Sequence, residues 1–205
     1  NSRQPNSRWY SGSGIYRNVW LLKTGTIAVD HWGTCVTTPV VKETGAEVRI
    51  ATRISNTTGT PVRISVKSSI FGRDDQLVAE MISPGVLVKP SGTEIKQTLT
   101  VPNPDLWSVE SPAMYRVVTT LLARQQVLDE YETPFGIRTF EFNNSLGFLL
   151  NGKPLKIRGV CNHHDLGCLG AAINTRGVER QLELLKGMGC NGIRTSHNPP
   201  APELL

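Results

Sequence analysis

The chain has 205 residues, a formal net charge of +5 at pH 7, 39% hydrophobic residues and 19% charged ones, a balance that suits one or two folded domains and excludes a disordered chain. Its 22 Lys and Arg are scattered singly, with no basic run interleaved with aromatics, which argues against a nucleic-acid partner. No stretch approaches roughly 18 consecutive apolar residues, and the first four residues lack the basic and apolar regions of a signal peptide, so neither a membrane span nor an export signal is expected.

Residues 8–21 join a Gly-rich turn to a single run rich in aromatics, with Trp9, Tyr10 and Tyr16 among them. One strand cannot bury its own faces. Residues 1–25 are therefore expected to be the last strand of an upstream β-domain and a linker, with the aromatics serving interdomain packing rather than sugar stacking. Residues 26–142 then alternate apolar and polar positions in short runs at 47–54, 62–71, 77–82, 94–101, 115–123 and 127–131. Turn residues separate the runs, at 56–61, 73–75, 90–92 and the stretch holding Pro102, Pro104 and Pro112. Roughly seven strands over about 115 residues is the signature of an immunoglobulin-like sandwich. With no cysteine pair to bridge the sheets, hydrophobic packing has to hold it together. Two tripeptides, Asn56-Thr57-Thr58 and Asn143-Asn144-Ser145, fit the glycosylation acceptor pattern, which is short enough to arise by chance.

Residues 143–154 form a junction in which 148–154 reads as a tight hairpin, because Asn151-Gly152 is the strongest short hairpin signal. Two segments of the same form follow. Lys156-Ile157-Arg158-Gly159-Val160-Cys161-Asn162-His163-His164-Asp165 and Asn191-Gly192-Ile193-Arg194-Thr195-Ser196-His197-Asn198-Pro199 each run from apolar, β-type residues into a cluster of His, Asp, Asn and Arg. Between them Val178, Leu182, Leu185 and Met188 recur at helical spacing, with Gly187 and Gly189 at the exit. Strand, helix, strand with polar residues at the carboxyl end of each strand is the form of an α/β active-site face. A (β/α)8 barrel needs about 250 residues, so residues 143–205 are expected to be a junction and the start of an incomplete barrel. The absent initiator Met adds the expectation that the chain is a piece of something longer. The fold class is thus mainly β: an immunoglobulin-like β-sandwich followed by the first β-α-β unit of a truncated (β/α)8 barrel.

Cys35, Cys161, Cys168 and Cys190 have no even-spaced framework and are expected to be reduced and mostly buried. A zinc reading competes for Cys161, His163, His164, Cys168, Cys190 and His197, but no Cys-x-x-Cys or His-x3-His spacing supports four tetrahedral ligands. No metal and no cofactor are expected.

Four blocks, in order, carry a resemblance to a known family. They are Trp9-Tyr10-Ser11-Gly12-Ser13-Gly14-Ile15-Tyr16-Arg17; Asn103-Pro104-Asp105-Leu106-Trp107-Ser108 with Pro112 and Tyr115; Phe135-Gly136-Ile137-Arg138 with Leu150-Asn151-Gly152-Lys153-Pro154; and the segment from Asn191 to Pro199. Together they resemble glycoside hydrolase family 2, which includes β-galactosidases, β-glucuronidases and β-mannosidases. The resemblance implies an N-terminal jelly roll, a sandwich and a catalytic barrel, and retaining cleavage by two glutamates at the ends of later strands, about 5 to 5.5 Å apart. The family's acid/base glutamate follows an Asn, and this chain contains no Asn-Glu pair, so no catalytic residue is assigned and Glu203 reads as an ordinary loop residue.

The same resemblance implies that His197 contacts bound sugar, against the plainer reading of a histidine that only stabilises its loop. Asp165 matches the position of an aspartate that binds a sugar hydroxyl in the glucuronidase branch. His163 and His164 cannot both face the lumen while on a strand, because successive side chains alternate faces; His164 is assigned to substrate, and His163, Arg194 and Asn198 to support behind it. Arg194 is expected to orient carboxylates. The function implied is that of a retaining exo-β-glycosidase, a β-galactosidase above the others, whose catalytic glutamates lie outside the chain. The partner is a carbohydrate, and the incomplete barrel invites self-association. A non-catalytic immunoglobulin-like binding or adhesion module is the alternative for the sandwich alone; a strand-helix-strand tail ending in His, Asp and Arg has no use in such a module.

Overall fold

The computed structural model describes residues 14–172, 174–197 and 199–205. The described chain divides into two compact units: Lys23–Leu155, and residues 14–22 together with Lys156–Leu205.

The first unit is a sandwich of seven strands, β1 (Ile27–Lys42), β2 (Gly45–Asn56), β3 (Val62–Phe71), β4 (Leu77–Val88), β5 (Thr93–Pro102), β6 (Tyr115–Ala123) and β7 (Gln126–Phe135). They form a three-stranded sheet in the order β1-β2-β5 and a four-stranded sheet in the order β4-β3-β6-β7, antiparallel throughout. The period-2 pattern does the sorting. Every second residue of β2, from Ala46 through Val48, Ile50, Thr52 and Ile54 to Asn56, is buried while its neighbours are not. Ile50, Ile70, Val117 and Ile137 pack in one apolar cluster and Ile54, Ile64, Val66 and Leu121 in another. Each fully buried Ile or Leu contributes about 1.5 to 3 kcal/mol of transfer free energy. A polar seam crosses the same interior: Ser68 Oγ donates to Gln97 Oε1 at 2.7 Å, and Gln97 Nε2 donates to the Val66 carbonyl at 3.2 Å and to Ser83 Oγ at 3.0 Å. Its partners make burial of the amide tolerable.

The strand reading of the sequence misses β1. Two register shifts, between Val29 and Thr34 and between Thr37 and Val40, break its alternation. At the first, Trp32 adopts φ 53°, and Gly33 is required, since a Cβ there would meet the Asp30 carbonyl oxygen at 2.7 Å. Asp30 pairs with Arg53 at 2.9 Å beside the bulge, and the Trp32 N–H donates to the Tyr131 hydroxyl at 3.1 Å.

A three-stranded sheet of β8 (Phe140–Asn143), β9 (Gly147–Leu150) and β10 (Lys153–Pro154) completes this unit. Asn151 and Gly152 turn the chain at φ 51° and 74°, the pair of positive values a type I′ turn demands. Asn56 is buried, and its side-chain amide donates to the Thr60 and Val88 carbonyls at 2.8 and 2.9 Å, so in the folded state it is a turn residue rather than a glycan acceptor.

The second unit contains β11 (Gly159–Asn162), α1 (Thr175–Gly187) and β12 (Gly192–Thr195). β11 and β12 pair in parallel, Gly159 opposite Gly192 and Asn162 opposite Thr195. The helix starts where Asn174 caps it, accepting from the Gly177 N–H at 2.9 Å. It buries Val178, whereas Met188 is 75% exposed because it caps the helix rather than continuing its apolar face.

Residues 14–25 form no strand, and the rest of the run expected to be the last strand of an upstream β-domain, residues 8–13, lies outside the described residues. Trp9 and Tyr10 lie outside the described residues. The cysteines are free, but Cys35, Cys161 and Cys168 are exposed and Cys190 is half-buried. Cys161 sits at an alternate position to Val160 and Asn162, and the Asn162 side chain meets α1, so the pleat turns Cys161 to the opposite face of the two strands.

Candidate functional site

The carboxyl ends of β11 and β12 lie side by side because their amino ends are locked together. The Asn191 side chain accepts from the Arg158 N–H at 2.7 Å and donates to the Lys156 carbonyl at 3.0 Å, while its own N–H reaches the Arg158 carbonyl at 2.8 Å. A Cβ on Gly159 would sit 2.6 Å from the Gly192 carbonyl oxygen, so glycine is what allows the two strands to approach. The pairing carries past β12, where the Ser196 N–H donates to the Asn162 carbonyl at 2.9 Å. Ser196 is buried, whereas His197 next to it is exposed. The peptide between them is cis.

His197 is joined to Arg194, whose guanidinium lies 3.3 Å from Nδ1. Arginine offers donors only. In this contact Nδ1 is therefore the acceptor. The same guanidinium donates to Ser196 Oγ at 3.1 Å and approaches Cys161 Sγ at 3.7 Å. Among the described residues the partners of Arg194 are thus a hydroxyl, a thiol and an imidazole.

His163 and His164 both follow the last residue of β11, so strand alternation does not bind them. The His163 ring stands edge-on to that of His197, with centroids 5.7 Å apart; the His164 ring is tilted against Tyr16 at 6.2 Å. Both line a cavity of about 40 Å³ that also touches Val178 and Ile193, a space fit for a water rather than a sugar ring. Asp165 is half-buried, and its carbonyl accepts from Gln181 Nε2 at 3.3 Å. Of the six positions read from the sequence, His163, Arg194 and His197 come together; His164 stands beside Tyr16; Asp165 is held through Gln181; and Asn198 lies outside the described residues. Among the described residues, no three His, Cys, Asp or Glu side chains gather as they would around a metal ion.

Sequence reasoning misses Gln181 and Asn191. Gln181 links α1 to the last residue of β11 as well as to the loop after it, since its Oε1 also accepts from Asn162 Nδ2 at 3.3 Å. Its position three residues beyond Val178 is the signal that places it on the same helix face. In the sequence Asn191 reads only as part of the second motif.

Residues 31–138 match glycosyl hydrolases family 2, and residues 141–205 match that family's TIM barrel domain. The chain belongs to glycosyl hydrolase family 2. A β-galactosidase of Bacteroides ovatus, BoGH2A, is 53% identical over 205 residues, all of this chain and 24% of that protein. The crystal structure of a family 2 member from Bacteroides cellulosilyticus superimposes with a TM-score of 0.93 at 40% identity, over 98% of this chain and 28% of that one. A β-glucuronidase of Bacteroides uniformis gives a TM-score of 0.89 at 31% identity, over 97% of this chain and 25% of its own. The chain thus spans about a quarter of the length of these family 2 relatives.

Proposed function

We propose that this chain is part of a retaining exo-β-glycosidase acting on terminal β-galactosides, and that it supplies sugar-contacting side chains rather than the reacting carboxylates. The observation that carries the substrate reading is the 53% identity, over the whole chain, to a protein named as a β-galactosidase; the β-glucuronidase likeness stands at 31%. The chemistry needs an acid/base carboxylate and a nucleophile about 5 to 5.5 Å apart. Asp165 and Glu203 are the acidic residues of the strand-end loops, and Glu203 accepts from Asn18 at 2.5 Å. In this reading His197 and, as acceptor, Asp165 hold hydroxyls of the sugar ring together with His164. Arg194 holds the His197 imidazole, and His163 and Asn198 support the loops. Such bonds accelerate cleavage to the extent that they tighten as the ring flattens toward the oxocarbenium-like transition state.

The test is a panel of nitrophenyl glycosides with the full-length protein, the released sugar being followed by NMR. A kcat/KM for the β-galactoside at least tenfold above the β-glucuronide and β-mannoside, with the β-anomer appearing first, is the expected result. Preference for the glucuronide, or release of the α-anomer, contradicts the proposal. The 205-residue chain by itself is expected to show no turnover on any of them.

A further inference from the structure

We propose that Tyr16, Arg17 and Asn18 form a strap that holds the loop after β11 and the loop after β12 at a fixed separation, with Arg17 as the principal positioning residue for His197. The inference rests on the sugar-contact reading of His164 and His197. The strap has no regular structure of its own, yet its three side chains reach residues about 150 to 185 positions away in the chain. Arg17 donates to the Pro199 carbonyl at 2.5 Å and to the Pro200 carbonyl at 3.4 Å. Proline has no N–H, so in this Pro-Pro segment the two carbonyls are the polar backbone handles available. A planar guanidinium fork is the side chain that can hold both from one position. Asn18 fastens the next turn, donating to the Glu203 carboxylate.

The other side of the strap meets the first loop. The Tyr16 ring lies against the His164 ring, and the Arg17 guanidinium stands 5.4 Å from the centre of the Tyr16 ring, within reach of a cation–π attraction. One guanidinium is thereby shared between an aromatic that touches the His164 loop and two carbonyls that follow His197 by two and three residues. From the opposite side, Arg194 holds His197 itself. The imidazole is fixed from both ends of its loop, and a misplacement of about 1 Å in such a site costs on the order of 100-fold in rate.

The test is a double-mutant cycle on the full-length enzyme with Arg17→Ala, His197→Ala and the pair. Arg17→Ala is expected to lower kcat/KM by about 10- to 100-fold in the His197 background and by less than about threefold once His197 is Ala, with Arg17→Lys in between. A second readout uses the imidazole NMR signals of the full-length enzyme: Arg17→Ala is expected to shift or broaden those of both His164 and His197 while methyl signals of Ile50 and Val117 stay put. Equal losses in both backgrounds, or a lowered melting temperature with kcat/KM and imidazole signals unchanged, overturn the strap. If His197→Ala alone costs nothing, the sugar reading of His197 fails instead, and the imidazole signals still decide for or against the strap.

Discussion

Asn151 shows how much a single side chain does at a turn. It takes φ 51°, accepts from the Thr139 N–H at 3.0 Å and donates to the Trp107 carbonyl at 3.0 Å, so it both permits the turn and pins the hairpin onto the loop of Trp107. Asn151→Ala keeps neither the tolerance of left-handed backbone nor the two bonds, and is expected to destabilise the sandwich unit by roughly 2 kcal/mol in a urea titration. Gly159 is the matching case at the site. Gly159→Ala places a methyl against the backbone of Gly192, and is expected to separate β11 from β12, seen in the full-length protein as faster amide exchange at Ser196 with no change in the sandwich. Tyr115 carries the pH dependence. Burial pushes its phenol above the ordinary value of 10.0, opposed by the Asp105 N–H donated to its oxygen at 2.8 Å. The unfolded chain therefore loses this proton first as pH rises. The contribution of the neutral phenol is fully present below about pH 10 and fades above it, and Tyr115→Phe is expected to flatten that alkaline decline while lowering stability by about 1 kcal/mol at pH 7.

The elements differ in how plainly the sequence announces them. β3 and β6 are legible to the residue, since both are runs rich in β-branched residues that begin after a turn stretch. The helix is legible from its spacing. β1 is not, because its bulges move side chains between faces and a period-2 pattern cannot survive an inserted residue. The strand ends of the site were visible as a change from apolar to polar residues, but which His meets which partner was not, since that depends on loops outside any period. The charge pattern of α1 is a further case. Arg176 pairs with Glu183 at 2.8 Å and Glu179 at 3.2 Å, and the bond from Arg176 holds the Glu183 carboxyl below its ordinary value. Its support is present above the ordinary carboxylate range and is lost as pH falls through the lowered value. Both side chains are exposed to solvent, so the expected effect of Glu183→Gln on the melting curve is small and disappears in high salt.

At the scale of the molecule the two units are unequally supported. The sandwich unit closes two apolar clusters; in the other unit Val178 and Ala201 are the buried apolar residues among those described. Hydrogen exchange is therefore expected to be slow across β2, β3, β5 and β6 and fast from Lys156 to His197 in a monomer, with protection of the second unit rising if the chain self-associates. Residues 141–205 match the TIM barrel domain of family 2, and in the function we propose the weakly packed β-α-β unit with His, Asp and Arg at its strand ends is part of a sugar-binding barrel. The most direct test of that claim is kcat/KM on a β-galactoside for Asp165→Ala and His197→Ala in the full-length enzyme, measured beside the melting temperature. Removal of either sugar contact is expected to cost about 2 to 4 kcal/mol in transition-state stabilisation, roughly 30- to 1,000-fold, with stability changed by no more than about 0.5 kcal/mol. Near-normal kcat/KM with a lowered melting temperature would contradict the account and make both residues structural.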